Sequence, residues 1–191
     1  AALDAALCAR GGMLILRHGE PVAELQRLLA ETGAQEIFAA ADFSPYARQR
    51  DAAASAQLPV RWRGLPVVYP PETVLKPDGA PHTVFTPFSR RWKSLPPPAS
   101  PLPAPGAIPA PSGLHSAPLP PVPVLEALLA FPPGEAEALR RLGSFTGGRD
   151  APVYDYQDAR NLLGEAGTSQ LSPYLRLGML SPRQAAHAAY D

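Results

Sequence analysis

Between Pro96 and Pro123 the chain reads PPPASPLPAPGAIPAPSGLHSAPLPPVP, 12 of its 26 prolines in one stretch. A segment so poor in backbone N–H donors can form neither a helix interior nor a central strand. With no apolar periodicity it is expected to be an extended, polyproline-like linker over residues 93–123, dividing the chain into residues 1–92 and 124–191. The same composition is also the chemistry of ligands for SH3-type or WW-type modules, against which the plainer reading is a spacer.

The part before the linker has an α/β pattern. MLIL at 13–16 is an apolar run of strand type followed by the polar turn RHGEP, and Val22, Leu25, Leu28 and Leu29 then share one helical face that Gly33 should end. EIFAAADF at 36–43 is expected as a buried strand, SPYARQRDAAASAQ at 44–57 as a helix opened by a Ser-Pro cap, and VRW at 60–62 as a further strand. Alternation of this kind implies a parallel sheet with right-handed crossovers. No glycine-rich dinucleotide fingerprint follows any of these strands, so the fold alone names no ligand. The opening AALDAALCARGG is helical in character with no strand ahead of it, from which an N-terminal strand and helix are expected to be missing.

After the linker the pattern is helical. VLEALLAF at 124–131 is apolar, and PPGEAEALRRLGSF at 132–145 has an acidic first turn, a basic last turn and a stripe of Ala138, Leu139 and Leu142. Lys and Arg together number 17, as do Asp and Glu, so there is no global basic field and any nucleic-acid contact must be local. Cys8 is the lone cysteine; this excludes an internal disulfide framework, fits a reducing, cytoplasmic setting, and suggests an inert buried thiol. No run is long enough to span a bilayer and no signal-peptide pattern is present. His18, His82, His115 and His187 show no metal-ligand spacing, and no metal is expected.

The chemistry is concentrated in GTSQLSPYLRLGMLSPRQ at 167–184. Ser172 is a candidate N-cap with Pro173 in the first helical position and Gly178 closing the turn in a left-handed conformation. Ser181, Pro182 and Gln184 repeat the device as a capping box. Capping accounts for both Ser-Pro steps without any ligand. Left over is Gly167-Thr168-Ser169, a flexible turn that delivers two hydroxyls ahead of a helix N-terminus, where exposed N–H groups favour an anion. Plain capping and a phosphate ligand both stay open on these grounds.

The same stretch closely resembles the flavin-phosphate segment of the DNA photolyase and cryptochrome family, with Tyr156 at the required twelve residues before Thr168. VFTPFSRRW at 84–92, the preceding YPPETVLKPDGAPHTV, ILRHGEPVAELQRLL and SPYARQRD follow the family order as well, so the resemblance covers nearly the whole chain. It implies a partial parallel-sheet, Rossmann-like α/β antenna domain, the linker, and the first helices of an all-α FAD-binding domain. The implied activity is light-dependent repair of cyclobutane pyrimidine dimers in UV-damaged DNA, by a flavin held against a flipped-out lesion. The alternative is a cryptochrome-like photoreceptor or a non-catalytic remnant.

By resemblance, Tyr156 packs by or bonds the flavin nucleotide, while Thr168, Ser169, Gln170, Leu171 and Ser172 line its phosphates. Arg160 matches a family arginine that approaches the DNA backbone, a role suited to a guanidinium fork. No catalytic residue is expected within the chain, and Trp62 and Trp92 read as packing residues. Tyr46-Ala47 stands where folate-binding members carry Asn-Glu, so a deazaflavin or flavin antenna is favoured over folate, with Asp42 and Arg176 at positions near that pocket. The resemblance starts after the family's first strand and stops as its helical domain begins. The chain is therefore expected to be a partial copy, monomeric, without membrane association and inactive by itself.

Overall fold

The computed structural model describes residues 2–121 and 130–190. The chain forms two compact units, one from residues up to Gly64 together with the stretch from Pro103, the other from Leu65–Leu102 together with residues 130–190. Most of the apolar segment 124–131 lies outside the described residues.

In the first unit, α1 (Ala2–Cys8) precedes α2 (Pro21–Thr32), which opens on Pro21 and ends at Gly33 with φ 68°, a left-handed stop that costs glycine nothing. The strands β1 (Ile37–Ala39) and β2 (Val60–Trp62) pair in parallel, Ile37 with Val60 and Ala39 with Trp62, joined through α3 (Pro45–Gln57). The Ser44 hydroxyl caps α3 by accepting from the Ala47 N–H at 3.3 Å. Val22, Ala54 and Leu58 form the small core, with Leu25, Leu29, Ile37, Val60 and Trp62 against it. Trp62 packs as expected, its indole N–H donating to the Ser55 hydroxyl.

Three expectations for this unit are corrected. MLIL is not a strand. Its hydrogen-bond partners are Ser116 and Ala117: the Ser116 hydroxyl accepts from the Leu16 N–H at 2.9 Å and lies 3.4 Å from the Leu14 carbonyl, and the Ala117 N–H donates to the Leu16 carbonyl, while just upstream Ile108 and Ala110 donate to the Arg10 and Gly11 carbonyls. Here a serine side chain takes contacts that a strand would make through backbone, so no ladder runs along 13–16. The Pro-rich stretch has neither helix nor strand from Pro96 to Pro121, yet its second half is tied to residues 10–16 by these bonds. The run at 36–43 yields a strand of only three residues, and the central Phe38 is 67% exposed because the two-stranded sheet covers one of its faces. Cys8 is exposed rather than buried, since α1 contributes no buried residue.

In the second unit a 3-10 turn at Pro71–Val74 leads to α4 (Phe85–Lys93), where Trp92 meets Tyr69 edge-on at 5.1 Å. Next come α5 (Glu135–Thr146), α6 (Tyr156–Ala159), α7 (Ser172–Arg176) and α8 (Pro182–Tyr190). Ala138, Leu142, Leu171, Tyr174 and Leu180 make the core. The buried Tyr174 ring satisfies its hydroxyl by donating to the Pro132 carbonyl at 3.0 Å. Leu139 is half exposed, one step around the helix from Ala138, and is not part of the stripe. Because α5 runs on to Thr146, Arg140 and Arg141 fall in mid-helix, where Glu137 rather than the helix dipole is their partner. Among the described residues no helix is long and apolar enough to cross a membrane.

Candidate phosphate-binding site

The residues singled out around 156–172 meet in the second unit. Tyr156 opens α6, its ring edge-on to Phe145 at 6.1 Å and covered on one side by the Arg160 guanidinium, 5.7 Å from the centroid. A cation over an aromatic face is held by the ring quadrupole. Tyr156 keeps 41% of its surface exposed, so it is a half-covered platform and not a core aromatic.

Gly167 brings the chain back to this helix. It is buried, and a Cβ added to it would stand 2.3 Å from the Ala159 carbonyl oxygen. Only a residue without a side chain permits such an approach, so the turn expected to be flexible is wedged against the end of α6. The wedge sets Thr168 and Ser169 beside the helix that begins with Tyr156.

The hydroxyls of Thr168, Ser169 and Ser172 bond to no described residue, and the main-chain N–H groups of residues 168–172 donate to none. Thr168 and Ser172 are exposed and Ser169 half-buried. Gln170 has φ 51°, and Leu171 follows in the right-handed region at φ −86°, ψ −5°. Successive residues of opposite hand turn their N–H groups into one concavity, a backbone nest suited to an anion. Leu171 itself is buried in the core, fixing the C-terminal side of the nest.

Capping divides differently from expectation. Ser181 and Gln184 form the full reciprocal box, Gln184 N–H to Ser181 Oγ at 3.1 Å and Ser181 N–H to Gln184 Oε1 at 3.0 Å. Gly178 closes the preceding turn at φ 70°, as expected. Ser172, however, is the first residue of α7 and caps nothing; Leu171 occupies the cap position without a side-chain bond. With five residues, α7 adds little dipole, so hydroxyls and nest amides are the donor set.

Beside the nest, Glu137 receives Arg140 and Arg141 on α5. Hydrogen bonds from Arg140 and then Arg141 bring its carboxyl down from 4.5 to about 2. Gln170 was expected at the site, but its left-handed conformation was not legible, since the sign of φ leaves no mark on a glutamine, and neither was Arg141. The Asp42 carboxylate accepts from the Phe43 and Ser44 N–H groups in the first unit, whereas Arg176 ends α7 in the second.

The fold is that of a Rossmann-like α/β unit with a helical unit carrying an anion-ready turn. The DNA photolyase family matches residues 1–106. A deoxyribodipyrimidine photo-lyase of Streptomyces griseus is 36% identical over all of this chain and 43% of its own length. A cryptochrome DASH of Natronomonas pharaonis is 31% identical over 95% of this chain and 41% of its own length. The crystal structure of a class III photolyase from Agrobacterium tumefaciens superposes with TM-score 0.85 at 28% identity, over 98% of this chain and 41% of that one. The chain belongs to the DNA photolyase family, and it spans about two fifths of the length of these relatives.

Proposed function

We propose that the chain supplies the phosphate-holding wall of a flavin site in light-dependent repair of pyrimidine dimers in UV-damaged DNA. The observation that carries this reading is the Gly167 wedge against Ala159, which joins Tyr156 to a nest and three hydroxyls with no partner among the described residues. Such a donor set fits a pyrophosphate in number and kind: neutral hydroxyls and amides, and the exposed flank of Tyr156 for the rest of the nucleotide. Thr168, Ser169 and Ser172 would bond the phosphates through their hydroxyls, Gln170 and Leu171 through backbone N–H, and Tyr156 would pack by the nucleotide. The cofactor, FAD in this reading, supplies one-electron chemistry under blue light, while the protein contributes binding and orientation.

Arg160, spread over Tyr156 with its guanidinium exposed, is proposed to meet a DNA phosphate. In this reading Tyr46-Ala47 favours a deazaflavin or flavin antenna over folate. The cryptochrome DASH relative keeps a photoreceptor role as the second reading.

A cofactor pocket ordinarily buries most of its ligand. One wall buries little, so affinity of the chain for nucleotide is expected in the ~millimolar range. The test is an amide-resolved NMR titration with ADP and, separately, adenosine. ADP should move the signals of 167–172 and Tyr156, and adenosine should leave 168–172 in place. Equal responses to both, or none at saturating ADP, would sink the phosphate reading. Blue-light repair of a dimer-containing oligonucleotide by this chain with added FAD would refute the one-wall picture.

A further inference from the structure

Gln170 is the single non-glycine residue with positive φ among the described residues. The left-handed region is disfavoured for any residue with a Cβ, so the conformation needs an external hold. Leu171 in the core and Gly167 on Ala159 fix the chain on either side. Neither dictates the hand of the residue between them.

The polar contact to the Gln170 side chain comes from Arg141, whose Nη1 donates to Oε1 at 3.1 Å. The same guanidinium donates through Nε to Glu137 at 2.7 Å and through Nη2 to the Ala130 carbonyl at 2.5 Å. Its plane lies over Phe131 at 5.0 Å and Tyr174 at 5.6 Å. Every nitrogen is thus engaged and the side chain is only 14% exposed. A group so committed is a poor direct ligand for an anion and a good fixed point.

We infer that Arg141 is a positioning residue that holds Gln170 in its left-handed conformation, so that the N–H groups of residues 170–172 converge on the phosphate. This rests on the flavin-phosphate reading above, which it deepens by assigning the control of nest geometry to α5. If Gln170 relaxed to a right-handed or extended φ, the three N–H vectors would diverge while Leu171 stayed in the core.

The experiment uses the intact chain in four forms besides wild type: Gln170→Leu, Gln170→Gly, Arg141→Met and the Arg141→Met/Gln170→Gly pair. Ligand-free amide shifts and the HN–Hα coupling of residue 170 report the backbone, ADP titration reports binding, and thermal midpoint reports folding. Gln170→Leu, which leaves Arg141 and the core in place, should shift the 168–172 amides, weaken ADP about tenfold and keep the midpoint. Gln170→Gly tolerates positive φ unaided and should bind within about threefold of wild type.

Arg141→Met should lose about tenfold, and adding Gln170→Gly should recover most of it. Absence of that recovery, with a lowered midpoint, would reduce Arg141 to a structural role and overturn the inference. So would a Gln170→Leu protein unchanged in both shifts and binding. If wild type ignores ADP while Gln170→Leu still alters the ligand-free signals, the flavin reading falls and the positioning role stands.

Discussion

The tripeptide Leu-Ser-Pro occurs at 171–173 and again at 180–182, and the two copies do different things. Both leucines are buried, Leu171 at 4% exposure and Leu180 at 1%, and both steps open a helix. Ser181 enters a reciprocal capping box because Gln184 stands three residues on. Ser172 has Leu175 at that offset and a left-handed residue before Leu171, so it enters the helix with its hydroxyl unspent. The local motif sets where a helix begins. Neighbours on either side decide whether the hydroxyl serves the fold or remains available to a ligand.

The largest way to break this difference is Gly167→Ala. The new methyl would collide with the Ala159 carbonyl, backbone against side chain with no flexible end to yield. Overpacking of this kind is expected to cost about 2–3 kcal/mol. The thermal midpoint should fall by roughly 5–10 °C, and the ADP response should vanish with the displaced turn. A protein that melts like wild type and still binds ADP would show that the wedge is not needed.

Next is Ser181→Ala, which removes one half of the capping box. About 1 kcal/mol should be lost, or roughly 2–4 °C in midpoint for a chain of this size, with ADP binding unchanged. Loss of nucleotide binding in this variant would mean that the second copy also serves the site.

Much of the fold was legible where local chemistry suffices. α2 and α3 follow from an apolar face with Gly33 as a stop and from a Ser-Pro cap, and the second Ser-Pro step follows from Gln184. What was not legible depends on residues far along the chain. MLIL has the apolar run of a strand, but its partner is Ser116-Ala117, about a hundred residues on, which meets it largely through the Ser116 hydroxyl, and nothing in 13–16 announces that. Arg140 and Arg141 lie mid-helix in α5, too far from its C-terminus to meet the dipole, and Leu139, next to buried Ala138, turns away from the core. In the site, Tyr156 and Gly167-Thr168-Ser169 were found through a resemblance that fixes spacing. The hand of Gln170 and its tie to Arg141 arise only once α5 packs beside the turn.

A smaller effect comes from acid. Glu137 is held down at about 2, against 4.5 ordinarily, by Arg140 and then Arg141. A carboxyl depressed in the folded state contributes fully above its unfolded value and loses that contribution as pH falls through the folded one. Wild type should therefore exceed Glu137→Gln in denaturant midpoint at pH 6. The gap should close progressively between about pH 4.5 and pH 2, and modestly, since water screens this surface group. A gap independent of pH would assign the difference to packing and not to charge.

The smallest effect on folding, and the sharpest on the comparison, belongs to Ser172→Ala. A hydroxyl with no partner among the described residues can be removed without leaving another group unsatisfied. The midpoint should stay within about 0.5 kcal/mol of wild type, as for a surface change remote from structural features. Lowered ADP affinity, by roughly threefold, is expected at the same time. The variant thus inverts the profile of Ser181→Ala: stability kept and ligand lost, where the other loses stability and keeps ligand. A drop in midpoint would show that Ser172 caps its helix in solution after all. Unchanged ADP affinity would return the hydroxyl to an ordinary surface group, leaving the nest amides with Thr168 and Ser169 to hold the phosphate.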